Sequence, residues 1–94
     1  MSFKNNHPNA SNIATLLKIK LFGVIENTDE LSCRTEFDRK TDEYVFCIHR
    51  SYELFYLHRT PKIRFAHCRN NEEINAVKSE LAVEITDGIM LMLL

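Results

Sequence analysis

The chain has 94 residues, of which 45% are hydrophobic and 27% charged, and a formal net charge of −1. That is the make-up of one small globular domain, with too much apolar material for a disordered chain and too little length for a second core. Two glycines, Gly23 and Gly88, exclude Gly-rich phosphate loops, dinucleotide fingerprints and nucleophile elbows, each of which needs glycines clustered where backbone meets ligand or turns sharply.

Residues 1–10 are polar and read as a flexible arm, ordered only where something holds it, and residues 11–94 read as a single domain. Ser11 is a helix cap, and Ile13, Leu16, Leu17, Leu21, Val24 and Ile25 form the apolar stripe of an amphipathic helix. Ile19 and Phe22 widen that stripe beyond one face. Asn27 to Glu30 is a polar stop.

The middle of the chain has a period of two. Leu31, Cys33, Thr35 and Phe37 alternate with Ser32, Arg34, Glu36 and Asp38, and Tyr44, Phe46 and Ile48 alternate with Val45, Cys47 and His49. Residues 53–59 form a further apolar and aromatic run that Pro61 ends. Residues 62–67 alternate again, with Ile63, Phe65 and His67 on one side. Asn70-Asn71-Glu72-Glu73 starts a second helix striped by Ile74, Val77, Leu81 and Ile85, for which Asp87-Gly88 reads as a stop. Short connections make the strands an antiparallel meander. The expected fold is therefore α+β, a two-layer sandwich ordered helix, three or four strands, helix.

The near-zero net charge hides four blocks: residues 1–25 carry +3, 26–43 carry −4, 44–70 carry +4 and 71–94 carry −4. Such segregation permits a polarised surface. Cys33, Cys47 and Cys68 are odd in number and lack framework spacing, which points to reduced thiols and a cytoplasmic location. The longest apolar run, Ile89 to Leu94, is too short to span a bilayer, so no membrane association is expected.

Cys47, His49, His58 and Cys68 have the ligand chemistry zinc prefers, but not the paired-cysteine spacing that makes a metal motif specific. Neither a metal nor a cofactor is expected. A Cys–His nucleophile needs an oxyanion hole, and no glycine lies near Cys47 to shape one. The acids Asp38, Asp42 and Glu43 flank a turn, where solvated carboxylates do not reach the shifted acidity of general acid/base catalysis. No enzyme is expected.

Two binding functions remain. Residues 44–69 combine basic residues and aromatics, a composition that stacks bases and neutralises phosphates in RNA or single-stranded nucleic-acid binding. Against it, the second helix opens on Glu72 and Glu73, which repel phosphate. The preferred reading is a non-enzymatic module that binds another protein by occupying a surface, as an inhibitor, adaptor or immunity-type protein does. Phage and mobile-element genomes commonly encode small domains of this kind. The expected contact residues are Tyr52, Tyr56, Arg59 and Arg64 on the open sheet face, with Asp38, Asp42 and Glu43 at the acidic turn. The all-apolar tail Ile89–Leu94 must be buried in the fold or against another chain, and a homodimer through that tail or through an edge strand is a further expectation.

Overall fold

A computed structural model describes residues 7–94 and has the expected two layers. Helix α1 (Ser11–Lys20) is followed by a 3-10 turn, Thr28–Glu30. Strands β1 (Leu31–Asp38), β2 (Glu43–Arg50) and β3 (Glu53–Pro61) come next, then a one-turn helix α2 (Ile63–Ala66) and the long helix α3 (Asn71–Met92). The three strands form an antiparallel meander with β2 in the centre. No helix among the described residues is long and apolar enough to cross a membrane.

Both long helices lie on one side of the sheet. Ile13, Leu17 and Leu21 of α1, Tyr44, Phe46 and Ile48 of β2, and Leu81, Ile85 and Ile89 of α3 meet in one buried cluster. The helices run parallel. Asn12 in the first turn of α1 accepts a hydrogen bond from Lys78 Nζ at 3.2 Å. Farther along α3, Glu84 reaches His58, and Gly88 abuts Tyr56. Since His58 pairs with Phe46 and Tyr56 with Ile48, α3 advances from the Tyr44 end of the sheet towards the Arg50 end. Helix α1 advances the same way, because its N-terminal side begins at His7, edge-on to Tyr44, and its C-terminal side leads to Glu30 beside Ser51.

Several boundaries differ from expectation. Helix α1 stops at Lys20 instead of continuing through Ile25, and the chain turns through Gly23 at φ +81°, a conformation that suits glycine. Its N-cap position is Ala10, with Ser11 inside the helix and held by a bond from its amide to Asn9 Oδ1. Residues 62–67 are not a fourth strand. Proline at 61 supplies no amide to continue the ladder, and the chain closes one helical turn, Phe65 N to Lys62 O at 3.0 Å. Two residues span roughly half a helical turn, which puts Ile63 and Phe65 on opposite faces, so Phe65 is fully buried edge-on to Tyr44 while Ile63 is exposed. Of the expected arm, residues 1–6 lie outside the described residues. Pro8 and Ala10 are buried, held by the core below them.

Helix α3 begins as expected, Asn70 Oδ1 accepting the amide of Glu73 at 2.9 Å. It does not end at Gly88. The backbone there stays helical, and the missing side chain leaves room for the Tyr56 ring. The tail is thereby divided: Ile89 is in the core, whereas Leu91 to Leu94 are exposed on or just past the last turn.

Candidate binding surface on the sheet

Strand alternation gives the sheet two unlike faces. Tyr44, Phe46 and Ile48 point at the helices, flanked by Thr35 and Cys33 on β1 and by Thr60, His58 and Tyr56 on β3. The opposite face carries Arg34, Glu36 and Asp38 on β1, Glu43, Val45, Cys47 and His49 on β2, and Leu57 and Arg59 on β3. No element among the described residues covers it.

A bulge completes this face. The register of β2 with β3 shifts between Ile48 and His49, so that Ile48 opposes Tyr56 but His49 opposes Leu54. Phe55 is the extra residue, packed against the core edge with the Arg50 guanidinium 4.5 Å above its ring. Leu54 is thereby set beside His49 on the open side. Leu54 and Leu57 are 55% and 48% exposed, over a floor of buried Val45 and Cys47. With Arg34, Glu36, Phe37, Asp38 and Arg59 they enclose a shallow depression of about 590 Å³.

Its rim is electrostatically paired along the strands, whereas Arg39 and Lys40 in the β1–β2 turn also line it and have no ion pair among the described residues. Arg59 Nη1 lies 3.0 Å from Asp38 Oδ2 and 3.4 Å from Glu43 Oε1. The hydrogen bond from Arg59 holds the Asp38 carboxyl below its usual range, helped by the amide of Lys40. Arg34 pairs with Glu36 on the same strand face. Elsewhere Lys62 pairs with Asp42, and Arg64 with Glu80 and Glu84. These pairs join acidic blocks to the basic block 44–70, because antiparallel connections fold neighbouring stretches of opposite sign onto each other. Much of the charge segregation along the chain is thus neutralised in space.

The expected contact residues separate into groups. Arg59, Asp38 and Glu43 come together on the open face. Asp42 sits in the β1–β2 turn at φ 56°, its carbonyl accepting the Lys62 amide. Tyr52 is fully exposed at the β2–β3 turn. The placement of Tyr56 and Arg64 on the open face is corrected. Tyr56 is half-buried on the helix side against Gly88, because the bulge fixes its register opposite Ile48. Arg64 belongs to α2, where it donates to Glu84, to Glu80 at 3.1 Å and to Thr60 at 3.3 Å. Leu54 and Leu57 were not anticipated as site residues. Their three-residue spacing puts them on opposite faces of a regular strand, and only the bulge reconciles them.

The four sulfur and imidazole groups do not converge. Cys47 and His49 are on the open face, His58 is on the helix side bound to Glu84, and Cys68 packs in the core just ahead of α3. Among the described residues no group of three or more His, Cys, Asp or Glu is arranged to hold a metal ion. Burial pushes the Cys33 thiol up to about 12 and the Cys68 thiol upward too. Comparison of the chain with protein-family models, with curated proteins and with solved structures finds no match.

Proposed function

We propose that the protein is a non-enzymatic protein-binding module and that the open face of its sheet is the contact surface. The observation that carries this reading is the pair Leu54 and Leu57, half out of the surface above buried Val45 and Cys47 and ringed by charged side chains, with Arg59 paired to Asp38 and Glu43. Protein interfaces have this anatomy, with an apolar centre that loses its water and a polar rim that sets orientation. Arg59 is held by two carboxylates and would enter a contact with little loss of side-chain freedom, which is the condition under which arginine acts as an interface anchor. The partner's matching surface is an apolar side chain flanked by groups of both signs.

Nucleic-acid binding is less well supported, because Tyr44, Phe46 and Phe65 are buried and Phe55 and Tyr56 pack on the helix side. Bases would have Tyr52 alone among the aromatics of residues 44–69 to stack on in full exposure.

The test is quantitative affinity capture from the native host with two baits, the wild-type chain and the variant Leu54→Glu/Leu57→Glu/Arg59→Ala, after circular dichroism has shown equal folding. The expected result is a protein retained by the first and lost by the second. Equal recovery of every protein by both baits, or capture that nuclease abolishes, would overturn the reading.

A further inference from the structure

A second, independent surface lies on the opposite side of the molecule. The outward face of the helical layer changes character along its length. Near the N-terminal ends it is polar, with Ser11, Asn12 and Thr15 on α1 and Asn75 and Ser79 on α3, all of them exposed. Near the C-terminal ends it is apolar. Ile19 and Phe22 on the α1 side are 69% and 81% exposed, and Leu91 and Leu94 on the α3 side are 70% and 98% exposed. Asp87, Met90, Leu91 and Leu94 line one depression and Lys18, Ile19, Phe22, Thr28 and Asp29 another. Because α1 and α3 run parallel, both depressions lie towards the same end of the layer.

The two depressions offer each other side chains of opposite charge, Asp87 in one and Lys18 in the other. Between Leu81 and Leu94, α3 carries two charged residues, Glu84 and Asp87, and Glu84 is bound by Arg64 and His58. Asp87 stands among the exposed apolar residues and, among the described residues, has no ion pair. On α1, Lys18 stands one residue from Ile19 and one turn from Phe22, and Lys20 ends the helix. Neither lysine has an ion pair among the described residues; Lys18 shares this depression with Asp29, and Lys20 is not part of its lining. An apolar face that carries the unpaired carboxylate of Asp87 thus matches an apolar face that carries the unpaired amine of Lys18, and both belong to one chain.

We propose that these two faces are the interface of a dimer of this chain, with α1 of each copy lying over α3 of the other. A two-fold axis along the helix direction, between α1 and α3 in the plane of contact, produces this arrangement. It keeps all four helices parallel, brings apolar ends to apolar ends, and sets Lys18 of each copy against Asp87 of the other twice over. An axis across the helices instead lays polar ends on apolar ones. Back-to-back helical layers leave both sheets facing outward, so the dimer is bivalent towards whatever the open face binds.

Sedimentation velocity over a wide range of concentration tests this with the full chain. The wild type should dimerise, and Phe22→Glu and Leu91→Glu, both at exposed positions and checked by circular dichroism, should each be monomeric. Lys18→Glu alone and Asp87→Lys alone should each weaken self-association by about tenfold or more, since like charges then face each other at both contacts. Mixing those two variants should restore the dimer, because both contacts of the mixed pair are again of opposite sign. A wild type that stays monomeric overturns the proposal, and one that instead sediments with anionic vesicles identifies a membrane surface as the occupant. Dimerisation that survives both glutamate substitutions places the contact on another surface, and mixing without restoration excludes the reciprocal α1–α3 arrangement.

Discussion

The Tyr56 side chain occupies the space that a side chain at position 88 would need. A Cβ built on Gly88 overlaps the Tyr56 hydroxyl oxygen and comes within 2.7 Å of the ring carbon Cζ. Glycine in the middle of a helix costs roughly 1 kcal/mol relative to alanine, and here that cost lets α3 approach β3. Gly88→Ala should therefore destabilise the protein despite its gain in helix propensity, by about 1–3 kcal/mol from overpacking. In a Tyr56→Ala background the same change should be neutral or stabilising. Urea melts of the two single variants and the double variant check this, and additive effects would show that the two residues are not coupled.

The knot of Arg64, Glu84 and His58 ties α2 and β3 to α3 and makes stability depend on pH. The hydrogen bonds from Arg64, with a smaller contribution from His58, hold the Glu84 carboxyl below its usual range. A carboxyl depressed in the folded state stabilises above its unfolded value of roughly 4.3 and loses that contribution as pH falls through the folded value. Glu84 is 40% exposed on its side chain, so water screens the pair and Glu84→Gln should cost only about 1 kcal/mol or less at neutral pH. Chemical denaturation at pH 7 and at pH 3 should show the gap between wild type and variant narrowing in acid. A gap of constant size would mean that the loss is one of packing or neutral hydrogen bonding.

The layered α+β fold was readable from the chain because its two periodicities are clean. Leu31 to Asp38 alternates apolar with polar residues, Tyr44 to Ile48 is an apolar run of strand length, and Asn70 with Glu73 marks a helix start by local chemistry alone. The misplaced features depend on contacts distant in sequence. The Ile63–Phe65 pair fits a strand as well as a turn of helix until Pro61 and the core decide between them. Gly88 reads as a stop unless Tyr56 is known to lie against it. On the candidate surface, Asp38 and Glu43 were legible as acids flanking one turn and Arg59 as an open-face residue, whereas the contact between them needs the strand register, and Leu54 and Leu57 share a face only through the bulge at Phe55. The same bulge holds Tyr56 inside.

Lys78 is 4% exposed between α1 and α3, and burial lowers the pKa of its ammonium. Among the described residues its ammonium donates a hydrogen bond to the carboxamide of Asn12. A charge held there is a net cost, since no carboxylate among the described residues repays its lost hydration. Lys78→Met fills the same volume without the charge and should stabilise the protein by about 1 kcal/mol or more. The sign with pH follows from the lowered value: between the folded and unfolded ionisations the unfolded chain binds more protons, so the wild type gains stability as pH rises. Thermal melts from pH 7 to 10 should show the advantage of Lys78→Met shrinking with pH. A variant less stable than wild type throughout would mean that the Lys78–Asn12 bond outweighs the burial of charge.

Ser51 and Tyr52 close the β2–β3 hairpin with φ values of 52° and 68°. Positive φ at both central positions is the type I′ geometry, which matches the twist of the strands and is ordinarily built from Asn-Gly or similar pairs. A tyrosine held left-handed strains its Cβ against the backbone by roughly 1 kcal/mol, and no packing offsets this, because Tyr52 is fully exposed. Tyr52→Gly should therefore stabilise the fold by about 1 kcal/mol, raising the melting temperature by about 4–8 °C for a domain of this size. Strain of this kind, kept where a side chain meets solvent, is expected at a contact residue. The same variant should accordingly bind the captured partner more weakly while melting at higher temperature. Calorimetric titration and thermal melting of one Tyr52→Gly preparation separate the two effects, and unchanged affinity would remove Tyr52 from the contact surface.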